Sequence, residues 1–358
     1  MNSISMKKII TVVGARPQFI KAAPVSRVIR RYFNEILLHT GQHYDENMSD
    51  IFFKQLNIPQ PDINLQVGSG LHGEQTSSML VKMERVFLDQ QPSLIIIYGD
   101  TNSTLAASIA ASKIHIPVAH IEAGLRNFDL SIPEEVNRVV ADKLSKYLFV
   151  PTLTAIANLK AEGITEQVYL TGDVMVDALN YGLGIAEKDS QILSELNIKT
   201  KEYCLATIHR AENTDNIDNL KQIILAFGKL PETVVLPIHP RTDKVIHAND
   251  ISIPKNIRLI PSLGYLDFIT LESNARVIIT DSGGVQKEAY CLKVPCITIF
   301  PSTSWIETVD DGWNKLADAN ESSILDVYHS KYDLDNYNAH FGDGHAAEKI
   351  VNIIKEIL

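Results

Sequence analysis

Leu94-Ile-Ile-Ile-Tyr98 runs directly into Gly99-Asp100-Thr-Asn-Ser-Thr104. The five residues before the glycine are apolar, and three are β-branched, so this strand offers no polar face to water. A strand covered on both faces belongs to a parallel sheet flanked by helices. Similar runs lie on either side. Residues 9–13, 35–39, 117–121, 147–150 and 167–170 read as strands, with helical patterns over 17–30 and 74–89 among the intervening segments.

The alternation then pauses. Residues 173–186 read as a helix and 187–201 are polar, after which strands are predicted at 203–208, 233–237, 256–260, 276–280 and 295–300. The fold class is therefore α/β, with two doubly wound parallel-sheet domains. The break falls near residues 172–200, giving domains 1–172 and 173–339, and an amphipathic helix over 345–358 ends the chain. Ligands of such sheets bind beyond the carboxyl ends of the strands, and two such domains facing each other would make a cleft.

The 358 residues, 45% hydrophobic, suffice for two cores, because a single core stops growing at about 250–300 residues. Forty-three acidic residues against 33 basic ones give a net charge of -10, which argues against a nucleic-acid surface while leaving room for a local phosphate site. The three cysteines, Cys204, Cys291 and Cys296, show neither a disulfide framework nor zinc-ligand spacing, as expected in a reducing cytoplasm. Lys7 and Lys8 precede an apolar run too short for a signal peptide or a membrane span, and no other stretch is long and apolar enough to cross a bilayer.

Polar residues gather where the predicted strands end. Gly14-Ala-Arg16-Pro-Gln-Phe-Ile-Lys21 places two cations at a helix N-terminus, where the dipole already favours anions; they read as a phosphate site or as solvated surface cations. Asp100 reads as a helix N-cap or as a carboxylate facing a ligand. In Ala119-His-Ile-Glu122-Ala-Gly a carboxylate closes an apolar strand, and Pro133-Glu134-Glu135-Val-Asn137-Arg138 begins eleven residues after Glu122. His209, flanked by Arg210, Glu212 and Asn213, can titrate near neutrality. In Asp281-Ser282-Gly283-Gly284 the glycines allow close backbone approach, and amides with the Ser282 hydroxyl can hold phosphate oxygens, although no Gly-Lys-Ser/Thr of a P-loop follows. Glu288 lies one turn into the next helix, where a ribose diol could be hydrogen-bonded.

Two tempting matches fail. Gly68-Ser-Gly-Leu-His-Gly73 fits G-x-G-x-x-G, with Asp89 at nearly the ribose-binding distance, but the run before it is not the first strand of a βαβ unit. His120-x-Glu122 with Pro295-Cys296 approaches the zinc-deaminase signature, yet position 299 is Ile where a second Cys is required, so no metal is expected. Met79, Met83, Val86 and Phe87 are a core-facing helix stripe.

Taken in order, GARPQFIK, GQHYDENMS, YGDTNST, HIEAGLR, PEEVNR, TGDVMVDA, HRAEN, PIHPRT and DSGGVQKEA resemble the non-hydrolysing UDP-N-acetylglucosamine 2-epimerases over nearly the whole chain. The resemblance implies a GT-B-like fold of two Rossmann-like domains with the terminal helix, 340–358, packing back on the first. It implies a UDP-sugar substrate, no nicotinamide or other cofactor, and a homodimer. The implied reaction inverts carbon 2: a base removes its hydrogen as the carbon 1–diphosphate bond breaks, and UDP re-adds to the bound glycal with protonation from the other face. By the same resemblance Asp100, Glu122, Glu134 and His209 occupy acid/base positions. Arg16, Lys21, Arg138, Ser282, Gly283 and Gly284 would hold diphosphate or nearby charge, and Glu288 the ribose.

One segment departs from that pattern. Phe300 and Trp305 stand where relatives often carry arginine. The Trp-x-Glu-Thr form looks more like a branch acting on other UDP-acetamido sugars, including 2,3-diacetamido uronates. Two alternatives share the fold: a glycosyltransferase using a UDP-sugar, and a UDP-sugar-binding protein without catalysis.

Overall fold

The computed structural model describes residues 6–42 and 59–358, with side chains except at 16, 240 and 241. It divides into two compact units, Met1–Tyr181 with His340–Leu358, and Gly182–Ala339.

The first unit holds a seven-stranded parallel sheet: β1 Lys8–Val13, β2 Asn34–His39, β3 Ile63–Asn64, β4 Leu94–Tyr98, β5 Val118–Ile121, β6 Tyr147–Val150 and β7 Val168–Leu170, in the order β3-β2-β1-β4-β5-β6-β7. Ile10 of β1 pairs with Ile36 on one side and Ile95 on the other, and every residue of β4 is buried. Helix His72–Gln90 lays Met79, Met83 and Phe87 onto this sheet beside Ala106, Ala107, Ala110 and Ala111 of helix Asn102–Lys113. The alanines make room for the larger side chains, and each of those contributes roughly 1.5–3 kcal/mol by leaving water.

The terminal helix Ala346–Ile357 buries Ala347, Ile350, Val351 and Ile354 and packs against helix Arg16–Ile29 of the same unit. Its first amides, on Ala346 and Ala347, donate to the Asp177 carboxylate at 3.1 and 2.8 Å, an N-cap supplied by a residue far away in sequence.

The second unit holds β8 Tyr203–Thr207, β9 Thr233–Ile238, β10 Ile257–Pro261, β11 Val277–Thr280, β12 Cys296–Ile299 and β13 Asn314–Ala317, in the order β10-β9-β8-β11-β12-β13. Both sheets thus share the doubly wound order in which the chain starts mid-sheet, works to one edge and returns to the other side. Apolar clusters cover the two faces of the second sheet, one around Phe227, Leu236 and Ile279 and one around Leu205, Leu271 and Ile278. Burial pushes the thiols of Cys204 and Cys296 up to about 12, which leaves them unreactive at neutral pH.

Two edge strands escape sequence reading. Strand β3 is two residues long. In β13 the polar Asn314 is buried because Thr298 donates to it at 2.8 Å and it donates to Thr308 at 3.1 Å. The glycine run after β3 lacks the close packing of a dinucleotide turn, since a Cβ on Gly73 would meet nothing within 4 Å.

Candidate active site

In the first unit the strand order reverses between β1 and β4, so the loops leaving their carboxyl ends diverge and open a crevice. Gly14 lets the first loop lie against the next: a Cβ there would stand 2.0 Å from Ser103 Oγ and 2.3 Å from Thr40 Oγ1. Gln18 ties the loops together. Its Oε1 accepts from the amides of Gly14 and Ala15 at 2.8 and 3.1 Å, and its Nε2 donates to the Tyr98 carbonyl at 2.8 Å and Thr104 Oγ1 at 3.0 Å.

One turn further along the helix, Lys21 pairs through Nζ with Glu122 Oε2 at 2.6 Å. Glu122 ends β5 with φ +69°, a left-handed conformation that costs a non-glycine residue of order 1–3 kcal/mol. The turn is held by its own amide and that of Ala123, both donating to the Phe149 carbonyl at 3.1 Å. Strain maintained in this way points to a side chain that must be aimed.

Asp100 does not cap the following helix. Thr101 takes that role, its side chain accepting from the Thr104 amide, and the Asp100 carboxylate accepts from Arg138 Nη2 instead. Arg138 Nη1 donates to Glu135 Oε2 at 3.0 Å, and Asn137 Nδ2 donates to the Asp100 carbonyl at 2.9 Å. The paired glutamates diverge. Glu135 is buried and accepts from the amides of Asn127 and Phe128 at 2.9 Å each, which folds the preceding loop onto the helix. Glu134, in the first helical turn, is exposed.

Beneath these groups runs a polar chain that sequence reasoning met only as half of a failed zinc signature. Fully buried His120 has Nδ1 2.7 Å from Asp142 Oδ1 and Nε2 2.7 Å from the Gly99 carbonyl. Asp142 also accepts from the Gly124 amide at 3.1 Å and Arg126 Nη1 at 2.7 Å, and Arg126 forks onto Glu162 at 2.6 and 2.9 Å. Burial pushes the Asp142 carboxyl up, but His120 and Arg126 outweigh it and hold the group below the ordinary carboxylate range. The chain fixes the backbone just before Asp100 and just after Glu122.

In the second unit the reversal lies between β8 and β11. Asp281, fully buried at the end of β11, accepts from the amides of His209 and Arg210 at 3.1 and 3.0 Å and from Asn213 Nδ2 at 3.0 Å. It also meets His209 Nδ1 at 2.8 Å, while the imidazole is 55% exposed. Asp281 therefore orients His209 and leaves Nε2 for a ligand. Burial raises the Asp281 carboxyl, but these donors, His209 foremost, bring it below its usual range. Ser282 precedes helix Gly283–Cys291 without a side-chain capping bond, and Gly284 is exposed, so the helix N-terminus is open to an anion. Glu288 is buried in the same helix. Of the two residues that depart from the pattern, Phe300 lies 4.2 Å beneath the Arg210 guanidinium and Trp305 lies 4.3 Å beneath the Lys287 ammonium. Both aromatics are built into cation–π contacts.

The structure thus brings Lys21, Asp100, Glu122 and Arg138 together in one unit, and His209, Ser282, Gly283 and Gly284 at one crevice of the other. Arg16 opens its helix, with its side chain outside the described residues, as are positions 43–49 of the GQHYDENMS motif.

The sequence model of the UDP-N-acetylglucosamine 2-epimerase family matches residues 27–355. The chain belongs to this family. Within the epimerase family it is 52% identical to a UDP-N-acetylglucosamine 2-epimerase homolog of Methanococcus maripaludis, across 98% of this chain and 100% of that one. A UDP-2,3-diacetamido-2,3-dideoxy-D-glucuronate 2-epimerase of Pseudomonas aeruginosa is 42% identical, across 98% and 100%. The crystal structure of the Methanocaldococcus jannaschii UDP-GlcNAc 2-epimerase in complex with UDP-GlcNAc and UDP superimposes with a TM-score of 0.88 at 42% identity, covering 98% of this chain and 99% of that one. The fold is the GT-B-like pair of parallel-sheet α/β domains that epimerase structures share.

Proposed function

We propose that the protein reversibly inverts carbon 2 of a UDP-acetamido sugar, UDP-N-acetylglucosamine or a relative, by eliminating and re-adding UDP. The observation that carries this reading is the strained, lysine-paired Glu122 in the same crevice as the arginine-paired Asp100. Hydrogen at carbon 2 is too weakly acidic for simple removal and return. Its departure becomes feasible when the C–H electron pair forms a carbon 1–carbon 2 double bond and the carbon 1–oxygen pair leaves with UDP. Asp100, Glu122 and Glu134 are the carboxyl groups assigned to moving that proton away from one face and back onto the other. Two carboxylates with different cation partners can differ in proton affinity, as an acid and a base must.

UDP must be retained while it is an anion. The open N-terminus at Ser282, Gly283 and Gly284 is assigned to that charge and Glu288 to the ribose; Arg16, Lys21 and Arg138 are assigned to diphosphate or nearby charge, and His209 to acid/base work beside the carboxyl groups. The 42% identity to the diacetamido-uronate enzyme, together with the aromatic residues at 300 and 305, supports testing that substrate beside UDP-N-acetylglucosamine. Family resemblance also brings a cytoplasmic homodimer into the proposal, checked by a light-scattering mass of twice 39.8 kDa.

Incubation of the purified protein with each sugar in deuterium-enriched solvent, without an acceptor, tests the reaction. Label at carbon 2 and a mixture of two UDP-sugars are expected. Unlabelled substrate from both incubations would refute the proposal and favour a transferase or a binding protein, while steady accumulation of free UDP would indicate a hydrolytic enzyme.

A further inference from the structure

Glu272 is the least expected side chain of the second unit. It sits in helix Tyr265–Asn274 and is fully buried. Its neighbours Leu271 and Ala275 belong to an apolar cluster that also includes Val285, Ala289 and Cys296. No N–H, hydroxyl or cation of the described residues reaches either of its oxygens. What faces it is the carboxyl of Glu288, within hydrogen-bonding reach. The other titratable neighbours offer no relief. The Tyr203 hydroxyl on β8 donates to the Leu271 carbonyl at 2.5 Å, and the Cys296 thiol on β12 stays protonated at neutral pH. Two carboxylates cannot both be ionised in such a place. Burial, and then the charge of Glu288, push the Glu272 carboxyl well above the ordinary range, so the deeper group keeps the proton. A methionine or leucine would fill this space without the desolvation cost of a carboxyl, so a role is needed to explain a glutamate.

We propose that Glu272 is a positioning residue: its carboxyl donates a hydrogen bond to Glu288 and thereby presents Glu288 as a fixed, ionised acceptor for a vicinal diol, that of a ribose. This rests on the assignment of Glu288 to the ribose above. The donor locks the Glu288 rotamer from behind, so removing the donor blurs recognition of the diol and spares the diphosphate contacts.

The test compares binding of UDP and 2′-deoxy-UDP to the full-length protein by calorimetry. The parent prefers UDP. Glu272→Met, which removes the donor and keeps the volume, is expected to shrink that preference by about tenfold, the worth of a hydrogen bond to a charged group. Glu272→Gln, which retains an N–H donor, keeps it. A Met variant with the parent's preference, or a Gln variant that loses it, overturns the proposal. Glu288→Ala separates the two layers. If it loses the preference while Glu272→Met keeps it, only the positioning role falls; if it keeps the preference, the ribose assignment falls and this inference with it. An infrared measurement does not depend on the Met variant folding. The parent at neutral pH should show a protonated-carboxyl C=O band that Glu272→Gln removes, and a parent without that band overturns the proposal.

Discussion

The two units share a strand order but end their strands differently. At the β1/β4 reversal of the first, paired side chains dominate: Lys21 with Glu122, Arg138 with Asp100, and the His120–Asp142–Arg126 chain below. At the β8/β11 reversal of the second, backbone dominates: an open helix N-terminus, two glycines, and a buried Asp281 gathering amides beneath His209. In the proposed function the first crevice moves the proton and the second holds the anion. A common scaffold thus fixes where chemistry can occur, and the residues at the strand ends fix which chemistry it is.

The sharpest way to break this contrast is Glu122→Gln. Carbon 2 labelling should fall by roughly 100- to 10,000-fold. UDP affinity should stay within about tenfold, or roughly 1.4 kcal/mol. Labelling at the parent rate would remove Glu122 from the acid/base role, and a matching loss of UDP affinity would erase the division between the units.

Asp281→Asn probes the other crevice. Turnover should drop about 100-fold as His209 loses its orienting partner. Stability at neutral pH should fall by about 2 kcal/mol, because several donors lose a charged acceptor. The parent's Asp281 has a folded-state pKa below its unfolded value. Its stabilisation is therefore present at neutral pH and disappears as pH falls from about 5 through that lowered value. The Asn variant should show a flatter unfolding free energy across that acid window, measured by denaturant titration at several pH values.

Gly14→Ala should cost about 1–3 kcal/mol, since its Cβ would overlap Ser103 and Thr40 and force the first loop away from the second. Thermal unfolding reads this directly. The smallest effect expected is that of Thr101→Ala, about 1 kcal/mol of lost capping with turnover little changed. Asp100→Asn should do the reverse, damaging turnover more than stability. If Thr101→Ala impaired turnover as much, the separation of cap from chemistry at that strand end would be wrong.

Much of this was legible before any coordinates. The run from Leu94 to Tyr98 is buried throughout, and the predicted strands at 147–150 and 276–280 differ by at most a residue from β6 and β11. Where reading failed, polarity misled. The strand at Asn314 escaped because a polar residue breaks the apolar run, and its burial rests on side-chain bonds to Thr298 and Thr308 that hydrophobic periodicity does not register. Glu134 and Glu135 look alike in sequence, yet one is exposed and the other holds three hydrogen bonds inside the fold.

The order of apolar and polar residues alone determined the alternation of strand and helix, the presence of two such series, and the strand ends at which polar groups would gather, because hydrophobic periodicity is local and burial follows from it. Partnership was settled only by tertiary structure: which carboxylate meets a cation, which histidine is sealed inside, and why Glu272 lies against Glu288. Those relations depend on distances between elements far apart in the chain, and on the cost of leaving a polar group buried without a partner, neither of which a local pattern can express.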